Sequence, residues 1–387
     1  MLTPTPFGWV SQYFFGFFFV YGVYLPFWSM WFSGQGVSAS DIGLLIGIGF
    51  ATRCIANLVL TPLVHRIQHV IPALRWLSLA GIMFIIIHLV TGGSFWLLAA
   101  VTVLVNLCFG PIVPLSDALA NYYASIKKLD YGFSRLWGSI AFIAGSTIAG
   151  FLSAHYGLGM IVWTALVGMA VTLIFSLRNI EPMPAISPEK EQHRPSLVAL
   201  LSVPSVVRFL ALTALIQGSH AAYFGFSSIH WKEAGYTEDV IGYLWSLGVV
   251  AEVVVFALSR RLFSGWSLRA LFMLASLGAI VRWGLTASTT DLSALVVIQL
   301  LHGVTFAVAH IAAIQYIQHA GQHQMVALQA LYNAIPMGAV IAVMTAVSGW
   351  GYESWGASVF WLMAVMGVLS LFVKVRPIMS SVKEVSS

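Results

Sequence analysis

Residues 24–49 read YLPFWSMWFSGQGVSASDIGLLIGIG, and residues 223–248 read YFGFSSIHWKEAGYTEDVIGYLWSLG. Laid over one another at an offset of 199, they share Tyr24 with Tyr223, Phe27 with Phe226, Ser29 with Ser228 and Gly36 with Gly235. Ile42 with Ile241, Gly43 with Gly242, Leu45 with Leu244 and Gly49 with Gly248 complete the set. Eight identities in 26 positions, kept in one register through a polar loop, mark an internal repeat. Each copy holds the end of one long apolar run, a short break with glycine and the start of the next run. The chain therefore divides into two related halves built from apolar spans.

Working outward, such runs fill the sequence. Of 387 residues, 59% are hydrophobic and 8% charged, against about 25% charged in a soluble domain, so most of the surface must face lipid. A bilayer core needs roughly 20 apolar residues per helix. Windows of that kind fall near 7–32, 40–63, 72–90, 94–123, 135–153 and 158–177, then near 206–231, 237–259, 269–287, 291–318, 327–350 and 354–374. Helix is the state in which such runs satisfy their own backbone hydrogen bonds inside lipid. The expected fold is an all-α membrane protein of twelve transmembrane helices in two pseudo-symmetric six-helix bundles. Residues 1–177 form the first bundle, the polar, proline-bearing stretch 178–205 a cytoplasmic linker, and residues 206–387 the second bundle.

Lys and Arg set the orientation. With the N-terminus in the cytoplasm, 15 of the 18 fall in or beside cytoplasmic segments, among them Arg66, Arg75, Lys127, Lys128, Arg178, Lys190, Arg194, Arg260, Arg261, Arg376 and Lys383. Lys232 sits at an outer end, while Arg53 and Arg282 lie within spans. Both termini are then cytoplasmic. No basic region precedes the first apolar run, which reads as a retained span and not a signal peptide. The net charge of +5 is spread over short loops and forms no patch for nucleic acid. Cys54 and Cys108 lie inside apolar runs and read as packing residues. Neither HExxH, GxSxG nor GxxxxGK[ST] occurs, so an enzyme is not expected, and neither a metal nor a catalytic group is assigned. A receptor would usually add a soluble signalling domain, and the longest loop here is the linker. A monomer in contact with membrane lipids is expected.

An ionisable group within a span is expensive and marks function by default. The set is short: Arg53, Asp117, Glu252, Arg282, His88, His220, His302 and His310, with Arg135 at the inner start of span five. At the offset of 199, Arg53 and Glu252 are equivalent, and a contact between them across a central cavity is one expectation, pairing of each within its own half the other. Glu252 suits a proton carrier, because burial raises a carboxylate's pKa and a nearby cation such as Arg282 lowers it. His302 could bond either partner and titrates near neutrality. His88 and His310 read as packing histidines. Tyr21 and Tyr24, on one face of span one, could line a cavity.

Several strings resemble the lactose permease branch of the major facilitator superfamily. "PLSD", ending at Asp117, is similar to that family's span-four segment with its substrate carboxylate, and "YGFSRLWGSIAF", residues 131–142, to its span-five segment. Arg135 matches the substrate arginine there, and Phe142 stands where a stacking tryptophan is expected. Arg282 and His302, twenty residues apart, match the arginine and histidine of the family's proton site. Thr305 stands where that site has its carboxylate. The span-eight glutamate position is Val249, with Glu252 one turn deeper, and "TPLVHRIQHVIPALR" lacks the glycine and aspartate of the superfamily's loop signature.

"PIVPLSDALAN", "LDYGFSRLWGSIAF", "GSHAAYFGFSSIHW" and "GYLWSLGVVAEVVVFALS" are similar, more specifically, to the group of bacterial 3-phenylpropionic acid transporters. That resemblance implies proton symport of a small aromatic carboxylate by alternating access in a bacterial inner membrane, with the proton as coupling ion and no other cofactor. Substrate binding is then expected at Asp117, Arg135, Arg53, Phe142, Tyr24 and His220, with Arg53 at either the inner gate or the substrate carboxylate. Proton coupling is expected at Glu252, Arg282 and His302. A sugar or nucleoside symporter is the alternative, favoured by Asp117 with Arg135 and disfavoured by the missing tryptophan at 142; a non-transporting receptor is more distant.

Overall fold

A computed structural model describes residues 4–184, 197–320 and 322–375. Lys190, Arg194, Arg376, Lys383, the middle of the 178–205 connection and both termini lie outside the described residues. What is described is helical almost throughout and contains no strand. In order the helices are α1 (Pro6–Gly34), α2 (Ala39–Val59), α3 (Val70–Ile87), α4 (Phe95–Ser125), α5 (Tyr131–Tyr156), α6 (Met160–Leu177), α7 (Leu197–Leu201) and α8 (Pro204–Gly218). They continue as α9 (Ala221–Glu233), α10 (Glu238–Phe263), α11 (Leu268–Ser288), α12 (Leu292–His302), α13 (Ala309–His319), α14 (Gln322–Ala334), α15 (Ile341–Trp355) and α16 (Val359–Phe372).

Local sequence sets the starts. Thr5 Oγ1 accepts from Gly8 N at 3.1 Å with Pro6 in the first turn, and Asp130 accepts from Phe133 N at 2.9 Å to open α5. Ser38 and Ser267 cap α2 and α11 in the same way, each supplying an acceptor for an amide the helix cannot pair. Among the described residues, ten stretches are by length and composition able to cross a membrane. The twelve expected spans are recovered within them and in α8 with α9, because the last stretch, Gln324–Phe372, holds two.

Three spans depart from simple helices. Span seven, expected as one helix over 206–231, breaks after Gly218. There Ser219 Oγ donates to Ile216 O at 2.6 Å and accepts from Trp283 Nε1 at 2.8 Å, while His220 Nδ1 faces the carbonyls of Ile216 and Gln217 at 3.2 Å. Side chains that take backbone carbonyls compete with the helical ladder. In span ten Gly303–Val308 is a π segment between α12 and α13, and in span eleven Ile335–Val340 is a second one containing Pro336, whose missing amide N–H cannot join an α ladder.

By packing, the chain falls into two compact units, one of 1–188 with 224–249, the other of 189–223 with 250–387. In the first, α1 is the central element. A side chain at Gly22 would meet the carbonyl of Phe142, and one at Gly145 the carbonyl of Phe19, so small residues bring α1 and α5 close. Its aromatics Phe14, Phe17, Tyr24, Phe27, Trp28 and Trp31 are buried. Residues 224–249 join this unit through small residues four apart. A Cβ on Gly242 would sit 2.5 Å from Ser146 O, Gly150 lies against the Glu238 carbonyl, and Ser246 Oγ meets Ser146 Oγ at 2.8 Å. Ser228 Oγ donates to Pro26 O at 2.6 Å and accepts from Trp245 Nε1 at 2.9 Å. The division by packing thus passes through α9 and α10 as well as between α6 and α7.

Candidate functional site

Two polar clusters interrupt the apolar interior, one in each unit. In the first unit, Arg53 projects from α2 beside a narrow cleft lined by Tyr24, Leu25, Ile46, Phe50, Asn106 and Phe224, with Gly49 in its wall. Arg53 Nη1 donates to Tyr21 Oη and Nη2 to Asn106 Oδ1, each at 2.8 Å. Asn106 is fully buried on α4 and donates in turn to Tyr24 Oη at 2.9 Å. The guanidinium lies 5.0 Å from the Tyr21 ring, 5.6 Å from Phe50 and 5.8 Å from Tyr24, the geometry of cation–π contact. Its Nε is buried without a hydrogen-bond partner. Among the described residues no carboxylate lies within salt-bridge distance of it.

Asp117 and Arg135 form a separate, half-exposed pair. Arg135 Nε lies 3.6 Å from Asp117 Oδ1, Tyr131 Oη donates to the same oxygen at 3.2 Å, and the guanidinium covers the Phe18 ring at 4.1 Å. Phe142, placed with the substrate by resemblance, is buried where α5 meets α1, edge-on to Tyr21 at 6.1 Å.

The second unit holds the other cluster. Arg282 on α11 is fully buried. Its Nη1 donates to His302 Nδ1 at 2.9 Å and to Thr305 Oγ1 at 3.0 Å, and its Nε to Ile298 O at 3.1 Å. With Nδ1 accepting, neutral His302 carries its proton on Nε2, which faces Glu252 Oε2 at 3.5 Å. Thr305 Oγ1 also meets His220 Nε2 at 3.1 Å. Because His220 Nδ1 must donate to carbonyls, its Nε2 accepts from the threonine hydroxyl. The run Arg282, Thr305, His220 therefore has a consistent set of donors and acceptors. Tyr223 lies under the Arg282 guanidinium at 4.6 Å and donates to Gln299 Oε1 at 2.9 Å.

The structure thus brings Glu252, Arg282, His302 and His220 together, puts Arg53 with Tyr24, and leaves Asp117 with Arg135 apart from both. Arg53 and Glu252 are each bonded within their own unit. His220, grouped with the substrate from sequence, sits instead beside Thr305 and His302. His88 packs edge-on against Trp28 at 4.9 Å. His310 does more than pack, since its Nδ1 meets Tyr332 Oη at 3.1 Å. Sequence reading passed over Asn106, Gln299 and Tyr131; a buried amide inside an apolar run was the available signal for the first two.

The sequence matches the MFS_1 like family over residues 8–363. It is 41% identical over 374 residues, 96% of this chain and 98% of the relative, to the probable 3-phenylpropionic acid transporter of Escherichia coli (strain K12). With the maltose permease of Geobacillus stearothermophilus it shares 25% identity over 93% of this chain and 92% of the relative. Among solved structures, the nucleoside transporter NupG superposes with a TM-score of 0.81 at 15% identity, covering 95% of this chain and 98% of that one, a likeness of fold.

Proposed function

The chain belongs to the MFS_1 like family, and from that premise we propose that it takes up a small aromatic carboxylate such as 3-phenylpropionate together with a proton. It is a multi-pass membrane transporter of the major facilitator type, and its relatives and fold are those of transporters and not of enzymes. The observation that carries the substrate class is Arg53, a cation without a carboxylate beside it among the described residues, with a spare N–H and aromatic walls around the cleft. A substrate carboxylate supplies the anion, held by a planar fork, while its ring packs against Phe50, Phe224 and Tyr24. Arg135 suits an anion less, because Asp117 already opposes its charge. The similarity to the probable 3-phenylpropionic acid transporter supports the same assignment.

On this reading the proton is the coupling ion and Glu252 its carrier. Ionised, the carboxylate accepts from His302 Nε2–H; protonated, it gives that bond up, and Arg282 holds the His302 tautomer in both states. Strict symport requires that the carrier reorients when fully loaded or empty and not when half loaded. On the same reading the membrane is the bacterial inner membrane, and the Lys and Arg bias supports a cytoplasmic side for both termini.

A second reading, proton symport of a sugar or nucleoside, draws on Asp117 beside Arg135. An acceptor and a donor side by side suit hydroxyl groups, and the maltose permease is a relative. Uptake of radiolabelled 3-phenylpropionate into proteoliposomes, with and without an inward proton gradient, separates the two. Accumulation driven by the gradient is expected. Uptake of a sugar or nucleoside, with none of the aromatic acid, overturns the first reading in favour of the second.

A further inference from the structure

Beyond the Glu252 and His302 pair, the same face of span ten carries a second histidine that the proton reading leaves unused. His302, Phe306 and His310 are spaced by four. In an α-helix that spacing overshoots a full turn by about 40° at each step, so residues eight apart drift off one face. The π segment Gly303–Val308 intervenes, and its wider i→i+5 turns take up the overshoot. The rings consequently stack in sequence, His302 on Phe306 at 5.3 Å and 14°, and Phe306 on His310 at 6.4 Å and 3°.

Opposite this ladder, α10 presents Glu252 and, one turn on, Phe256, whose ring meets His310 edge-on at 6.0 Å. Glu252 lies against His302 at 3.5 Å and Phe256 against His310, so α10 runs along the ladder from one histidine to the other. Glu252, Phe256, Phe306 and His310 are all half-buried, unlike the buried Arg282 and His302. From α14 the buried Tyr332 sets its hydroxyl 3.1 Å from His310 Nδ1, and Gln217 of α8 reaches that hydroxyl at 3.4 Å. Glu252 and Tyr332 are the titratable groups that these neighbouring elements bring to His310.

We propose that His310 is a second proton station, receiving the proton from Glu252 toward the end of span ten that the charge bias places in the cytoplasm, with Tyr332 as the positioning residue. This rests on the proton-coupled reading above. With Tyr332 Oη accepting from Nδ1–H, the Nε2 lone pair of His310 is open. The Glu252 O–H proton passes to Nε2 through intervening water, leaving a carboxylate and an imidazolium. His302 Nε2–H then donates to the carboxylate, and the imidazolium releases its extra proton to water. The π segment serves this step by holding both histidines on the face that Glu252 meets.

The test uses the full chain in proteoliposomes as wild type, His310→Asn, His310→Gln and Tyr332→Phe, with gradient-driven uptake measured against internal pH and counterflow measured in the same vesicles. Loss of a positioned proton acceptor should slow gradient-driven uptake by at least about 100-fold and flatten its dependence on internal pH in both His310 variants, with counterflow preserved. Tyr332→Phe should displace the pH profile without abolishing uptake. An unchanged profile in His310→Asn and His310→Gln overturns the assignment, as does an equal loss of counterflow, which marks a structural role. A wild type indifferent to the gradient overturns the proton reading itself, and His310 with it.

Discussion

Replacing Arg53 by lysine keeps a positive charge on α2 and removes the fork. Arg53 spends Nη1 on Tyr21 and Nη2 on Asn106, each at 2.8 Å, and retains Nε without a partner. Lysine's three N–H donors sit on one nitrogen and cannot reproduce the spread of Nη1, Nη2 and Nε, so with Tyr21 and Asn106 held at least one charge-assisted hydrogen bond to a bound carboxylate is lost. Such a bond is worth about 1.5–3 kcal/mol, which weakens binding roughly 10- to 150-fold at about 1.4 kcal/mol per decade. The glutamine variant also loses the charge and should weaken binding further. Either change disturbs Asn106 and Tyr21, so the quantity to measure is a ratio, the Kd of 3-phenylpropionamide over that of 3-phenylpropionate in detergent, by calorimetry. Damage common to both ligands cancels in it, and only recognition of the carboxylate remains. The wild type should favour the acid strongly, Arg53→Lys less, and Arg53→Gln hardly at all. A ratio unchanged within twofold in both variants would refute the anchoring of the carboxylate at Arg53.

Three further outcomes are expected. Glu252→Gln should abolish uphill accumulation while sparing counterflow, and unchanged accumulation in proteoliposomes would remove Glu252 from proton carriage. Gly242→Trp should force α10 from α5, since even a Cβ there would lie 2.5 Å from the Ser146 carbonyl; uptake should fall to background, and a cysteine at Ser246 should react faster with maleimide than in the Gly242 parent. Asp117→Asn breaks a half-exposed pair of a kind worth about 0–1 kcal/mol, so the Kd for 3-phenylpropionate should move by less than about fivefold, whereas a much larger loss favours the hydroxyl-binding reading.

The fold was legible because its cause is written in one dimension. Apolar run length dictates helix in lipid, and the match of Tyr24 through Gly49 with Tyr223 through Gly248 gave the repeat. The break at Ser219 was not legible, because a serine or histidine in an apolar run signals nothing until its neighbours' carbonyls are seen to be its partners. The same holds for the π segments. Gly303 reads as an ordinary helical glycine, yet a Cβ on it would sit 2.8 Å from the Ala251 carbonyl. Of the sites, ionisable residues could be found by their cost, but their grouping could not. Asp117 and Arg53 read alike as span charges, and only packing shows one beside an arginine and the other bonded to Tyr21 and Asn106.

The repeat also bears on why the two clusters differ. Under the offset of 199, Tyr24 corresponds to Tyr223 and Asn106 to Thr305. In each unit the tyrosine ring lies under a guanidinium, 5.8 Å from Arg53 in one and 4.6 Å from Arg282 in the other. In each, the residue at the second position accepts from that guanidinium. The floor and the acceptor are thus kept, while the arginine comes from span two in the first half and from span nine in the second. From span two it reaches a cleft half-buried, with an N–H to spare. From span nine it is fully buried, and its bonds go to His302, Thr305 and a backbone carbonyl. A cation with a spare donor at a cleft can take an anion from outside. A buried one engaged by a histidine can only set that histidine's tautomer, and through it the bond to Glu252. On the proposed reading, moving one arginine between otherwise related frames is enough to give one half the substrate and the other the proton.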